Sequence, residues 1–147
     1  TKKKIDYLLD KALCCTKSEI DLAKKLKLGN ISREISSLLK EKNNMLSENM
    51  VQNIIQIIAV KEIAEIRSNF LEMLASKEYS YISKRLVKFL DINDPFFSAY
   101  AIHTLYKMDT LSYYNEILPF FTFRGNYFLC SKAKQYLKKA GTKFLIK

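Results

Sequence analysis

Glycine and proline are nearly missing from this chain: three and two residues among 147, with no tryptophan at all. A β-sandwich or barrel turns roughly every ten residues and uses many more of both. Long helices with tight connections are what remain. Cysteine is scarce too. Cys14, Cys15 and Cys130 are odd in number and lack C-x-x-C or Cys/His spacing. They suit neither a disulfide framework nor a metal site, and read instead as small buried hydrophobes in a reducing compartment. Long apolar runs are also absent. Residues 57–60 and 117–121 are far too short to span a bilayer. The opening Thr1-Lys2-Lys3-Lys4 leads into an amphipathic helix rather than a signal segment. A soluble, cytoplasmic protein with no membrane contact is the expectation. There is a single histidine and no GxSxG, HExxH or Gly-rich phosphate loop. Without an orienting partner and a nucleophile, His103 has no catalytic setting, so no enzyme activity, cofactor or metal is expected.

What is present is helical periodicity. Residues 3–15 place Ile5, Leu8, Leu9, Ala12 and Leu13 on one face. Ser18 is a candidate cap for a second helix with Ile20, Ala23 and Leu26 inward and Gly29 as its stop. Residues 31–42 form a third around Ile31, Ile35, Leu38 and Leu39, ended by Asn43-Asn44. Ser47 caps a fourth, with Met50, Ile54, Ile55 and Ile58 inward. Further helices are expected over 61–75 and 81–90, and another from Pro95, capped by Asp94, to about Lys107. Asp109 or Thr110 should cap the next, which Pro119 kinks or shortens. A last helix follows the Arg124-Gly125-Asn126 turn and ends before Gly141, leaving 142–147 as a tail. No stretch alternates with period two. The fold class is all-α, in one domain of the usual size.

The later helices repeat at 32 residues: Phe97, Ala101 and Leu105 return as Leu129, Ala133 and Leu137, and Asp94 returns as Asn126. The stretch 85–105, with its apolar helix, Asp94-Pro95 turn and following Ala101 and Leu105, resembles a HEAT-like (armadillo-type) helical repeat. Residues 114–141 resemble the next unit. The resemblance covers 46–141, with 1–45 as less regular N-terminal helices. The family's frequent Arg early in the second helix is replaced by Ser98 and Cys130. The resemblance implies a right-handed stack of antiparallel helix pairs, an α-solenoid of about eight or nine helices. It also implies a non-enzymatic module that binds partners along its concave face.

Charge narrows the partner. Residues 1–60 hold 11 Lys/Arg and 7 Asp/Glu, 61–110 hold 7 of each, and 111–147 hold 7 against 1, giving +10 with the excess at the two ends. An acidic partner follows. By the 32-residue register Tyr100, His103 and Lys107 align with Lys132, Gln135 and Lys139 as one outward ridge, bordered by Arg124. These seven are the candidate partner-binding residues. Tyr79, Tyr81, Tyr106, Tyr113 and Tyr114 add amphipathic anchors. The leading expectation is a protein-binding module. Its most concrete form, by analogy with small helical-repeat proteins, is a bacterial immunity protein that covers a toxin's active site. Two alternatives remain. One is DNA or RNA binding through a helix-turn-helix-like segment at 18–42, with Arg33, Lys40 and Lys42 meeting phosphates, and the basic C-terminal helix. The other is a HEAT-like DNA-repair glycosylase.

Overall fold

A computed structural model describes residues 1–41 and 45–145. Among these it contains eight α-helices, two 3-10 helices and no strand. The all-α class is thus established. The chain divides into two compact units, Thr1–Met73 and Leu74–Lys147.

In the first unit, α1 (Lys2–Cys15) buries Ile5, Leu8, Leu9 and Ala12 as the periodicity requires, with Cys15. It packs on α2 (Leu22–Glu41) and α3 (Glu48–Ile58). Helix α2 corrects the expected hairpin. It runs without a break through Gly29, so the two helices expected on either side are one, and the helix-turn-helix geometry at 18–42 does not exist. A glycine ends a helix by adopting positive φ, and no glycine here does so. The cap also moves. Lys24 N donates to Asp21 Oδ1 at 2.9 Å, while Ser18 Oγ takes the Lys24 ammonium. The inward face begins only at Leu28, leaving Leu22 and Leu26 at 73% and 61% exposure and Ala23 exposed. Lys42 and the Asn43-Asn44 stop lie outside the described residues.

Ser47 caps α3 as expected, its Oγ accepting Met50 N at 3.2 Å. The helix expected over 61–75 is divided. A 3-10 helix, Lys61–Ile63, ends at Ala64 with φ 52°, and α4 (Ile66–Glu72) follows. Tertiary packing imposes the break. Behind it the buried Arg67 donates Nε to the Ile58 carbonyl at 2.7 Å, placing a cation on the otherwise unsatisfied C-terminal end of α3. Helix α4 packs on α2 and α3.

The second unit starts with the 3-10 helix Lys77–Ile82, which feeds a shortened α5 (Ser83–Val87) in place of the helix expected over 81–90. Phe89 N and Leu90 N bond three residues back, to Leu86 and Val87, so the last turn is tightened and stops. Helix α6 (Pro95–Lys107) has the expected bounds, with Pro95 where its missing N–H costs nothing, but Asp94 occupies the N-cap position without the expected side-chain capping hydrogen bond. Its end differs from expectation. Asp109 (φ 60°) and Thr110 donate N–H to the Tyr106 and Leu105 carbonyls at 3.1 and 3.2 Å. These two bonds are the Schellman pattern, so Asp109 closes α6 and does not cap its successor.

Helix α7 (Tyr114–Thr122) contains Pro119 and ends three residues beyond it. Asn126 caps α8 (Tyr127–Leu145), its Oδ1 accepting Leu129 N at 2.9 Å. Helix α8 runs through Gly141, correcting the stop and the tail expected there. A glycine in a helix interior weakens it by about 1 kcal/mol without ending it. Ile146 and Lys147 lie outside the described residues. Helix α8 packs on both α6 and α7, and α5 on α6. The 32-residue repeat is real in burial: Phe97, Ala101, Leu105, Leu129, Ala133 and Leu137 are all core. Even the departures from the repeat pattern behave alike. Ser98 Oγ donates to the Asp91 carbonyl at 2.8 Å, and Cys130 Sγ to the Phe121 carbonyl at 3.4 Å, each clamping the preceding turn.

Candidate functional site

The seven candidate residues stand on α6 and α8 and in the turn before α8, and none is part of the core. All but Lys107 fall into two clusters. At the N-terminal end, Phe128 lies 6.4 Å from the Phe96 ring and meets Tyr100 edge-on at 5.3 Å, with Lys132 Nζ 5.7 Å from its centroid. Phe96 and Tyr100 stay 63% and 42% exposed, and the adjacent Tyr127 is 89% exposed. Arg124 lies over Phe121 at 5.3 Å, beside the patch. Aromatic surface is stacked here in the open, and the ammonium and guanidinium groups are held against rings rather than carboxylates.

At the C-terminal end, Tyr106 takes the place expected of Lys107. Its ring stacks on His103 at 5.9 Å and carries Lys139 Nζ at 4.5 Å. Lys139 also pairs with Asp109 at 3.3 Å, and Lys77 approaches the same carboxylate at 4.0 Å. Gln135 joins this end, lining an open groove of about 530 Å³ with Tyr106, Asp109, Leu111 and Lys138. Lys107 is exposed, and no contact ties it to either cluster.

No family model matches this chain, nor does any curated protein or solved structure. The site therefore has to be read from its own chemistry. Beneath it lies Tyr136, a buried phenol that donates to the Thr110 carbonyl at 2.6 Å and accepts Tyr113 N at 3.1 Å. Burial pushes this hydroxyl up to about 12. It stays neutral and ties down the loop that carries Asp109.

Phe96, Tyr106, Phe128 and Asp109 were not among the seven. The signal for two of them was present, since Phe96 and Phe128 are one 32-residue repeat apart. The carboxylate had none, because its role depends on the left-handed turn that ends α6. The expected tyrosine anchors divide. Tyr81 and Tyr114 are exposed, whereas Tyr79 is buried and Tyr113 shares a hydrogen bond with Ser83 at 3.1 Å. Among the described residues no group of three His, Cys, Asp or Glu could hold a metal ion, and no helix is long and apolar enough to cross a membrane.

A second groove, in the first unit, is polar. Ser32, Ser36, Arg33 and Lys40 of α2 face Asn69 and Glu72 of α4 across about 490 Å³. Ser32 is already engaged there, donating to the Gly29 carbonyl at 2.8 Å and accepting Asn69 Nδ2 at 3.4 Å. Arg33 bonds back to Asn30. The Arg33 and Lys40 that sequence reasoning offered to DNA phosphates therefore line the seam between two helices.

Proposed function

We propose that this chain is a non-enzymatic binding module that docks an acidic protein surface on the α6–α8 ridge. One observation carries the reading: at both ends of the ridge a lysine of α8 rests on a half-exposed ring, Lys132 on Phe128 of its own helix and Lys139 on Tyr106 of α6. Aromatic anchors ringed by cations suit an interface that buries flat surface and attracts carboxylates. The HEAT-like arrangement is part of the proposal. Its support is the contact pattern, with Phe96 on Phe128 and Tyr106 beneath Lys139 at near-constant spacing along α6 and α8. Tyr113 meets Tyr136, while Phe121 meets Cys130, as in a hairpin of α7 and α8.

The most concrete role is steric neutralisation of a toxin, resting on the HEAT-like resemblance of residues 85–141. Co-expression with proteins encoded by adjacent genes tests it. Rescue of growth from one of them by the wild-type chain, lost in a Tyr100→Ala/Lys132→Glu double variant, supports the role. Rescue that ignores the ridge variant overturns the ridge, and no rescue overturns the toxin. Four exposed or half-exposed lysines on α8 (132, 134, 138 and 139) also favour a second reading, single-stranded nucleic acid stacked along the same rings. Capture on the immobilised chain with and without nuclease separates the two.

A further inference from the structure

We infer that the groove at the C-terminal ends of α6 and α8 anchors an acidic side chain of a protein partner, presented beside an apolar residue, and that Asp109 holds this place in the unbound chain. The inference rests on the ridge as a protein-binding face and deepens it by naming the group that is bound.

The groove has two chemical characters. Leu111 and the Tyr106 ring supply apolar lining, and Lys138, Lys139 and the Gln135 amide supply polar lining. An apolar residue with a neighbouring carboxylate matches both. A carboxylate is already present in the structure: Asp109 lies 3.3 Å from Lys139 and 4.0 Å from Lys77. It sits at the left-handed closing position of a Schellman turn, which glycine usually occupies. It pairs with lysines from other elements, Lys77 of the 3-10 helix Lys77–Ile82 and Lys139 of α8. With Asp109 in place, the three lysines keep a surplus of positive charge that draws in a second carboxylate. Replacement is one for one, and the Tyr106 ring keeps Lys139 in position during the exchange. The same Asp109 discriminates. A phosphodiester strand brings several closely spaced charges, and displacing one Asp109 carboxylate makes room for only one of them, whereas a protein offers single carboxylates that take its position.

The test uses the full chain, labelled with nitrogen-15. The probe is a short synthetic peptide in which Glu alternates with Leu and Phe. A matched peptide with Gln for Glu and an oligo-dT strand are its comparisons. The acidic peptide is expected to shift the amides of Asp109, Leu111, Gln135 and Thr142, and the Gln peptide to leave them in place. Asp109→Asn keeps a side chain that tolerates positive φ. It is expected to tighten peptide binding about twofold to fivefold, the worth of an exposed ion pair that no longer competes. Lys139→Glu weakens binding about tenfold or more at low salt. Thermal melts of both variants check that the fold persists. Unchanged or weaker binding in Asp109→Asn overturns the inference, as does oligo-dT shifting the same amides at lower concentration. If Tyr100→Ala/Lys132→Glu weakens the peptide while both groove variants do nothing, the ridge stands and the groove assignment falls. If no variant at either end matters, both fall.

Discussion

The two units build with the same element, an amphipathic helix, and both turn polar groups inward: Ser32, Asn53 and Arg67 are buried in the first, Ser83, Ser98 and Thr104 in the second. In the first unit the polar groups turn inward to close helices against each other: Arg67 on the Ile58 carbonyl, Ser32 against Asn69. Its core is aliphatic, dominated by Ile5, Leu9, Ile35, Ile54, Ile57 and Ile58. In the second unit Ala101, Ala133, Phe97 and Tyr136 share the core with the aliphatic Ile102, Leu105, Ile117 and Leu129, while Lys132 and Lys139 lie outward on rings. Small residues at the crossing of α6 and α8 bring the two helices close, and that closeness puts the side chains flanking them into one continuous surface. The first unit also carries a cation on an exposed ring, Lys11 over Tyr7 at 5.3 Å, and the second gathers such contacts on two adjoining helices, for display.

The largest expected break in this contrast is in the first unit. Ile54→Ala removes a fully buried side chain from the aliphatic core and is expected to cost about 2–5 kcal/mol in urea unfolding. The second unit should fail by the reverse change. Ala101→Leu adds methylenes where two helices meet, with an expected loss of about 1–3 kcal/mol. A milder Ala101→Leu than any exposed substitution would mean that α6 and α8 are not closely packed.

Tyr136→Phe leaves the ring in place and strands the Thr110 carbonyl and Tyr113 N–H, at about 1–3 kcal/mol. It also has a pH signature. Burial raises the folded hydroxyl to about 12, whereas the unfolded one keeps the ordinary tyrosine value of 10.0. The unfolded chain therefore loses this proton first. The contribution is complete below the unfolded value and declines as pH rises from there toward the folded one. Melting temperatures recorded across that range should fall more steeply for the wild type than for Tyr136→Phe.

The smallest effect on stability belongs to Lys132→Glu/Lys138→Glu/Lys139→Glu, within about 0.5 kcal/mol per site. The same variant should slow association with an acidic partner steeply, and the loss should shrink as salt rises. An unchanged on-rate at low salt would remove display as the purpose of the second unit.

How much of this was legible in the sequence follows the same division. Helices α6 and α8 begin where expected because Pro95 at the first helical position and the Asn126 cap are start signals that act locally. Gly29 and Gly141 misled because a glycine permits a stop without causing one, and nothing nearby forces positive φ. The break at Ala64 was hidden for the opposite reason, since alanine is the best helix former and only tertiary packing turns it aside. The ridge was half legible. The 32-residue register placed Tyr100, Lys132, Gln135 and Lys139 on one outward surface, but it carried no information about which ring each cation would sit on. Asp109 was read as a cap because its sequence neighbours suit one, and its actual position depends on how α6 ends.

Ala64 has one more consequence. Its backbone, φ 52° and ψ −129°, belongs to a region that essentially only glycine enters without penalty. Codons for alanine and glycine differ by a single base, so the gene stands one point mutation from relieving that strain. The turn between Ile63 and Ile66 is thus a store of slack. A harmful change elsewhere in the first unit, worth on the order of 1 kcal/mol, has a compensating partner one step away. Directed evolution of destabilised variants should find Ala64→Gly early and repeatedly.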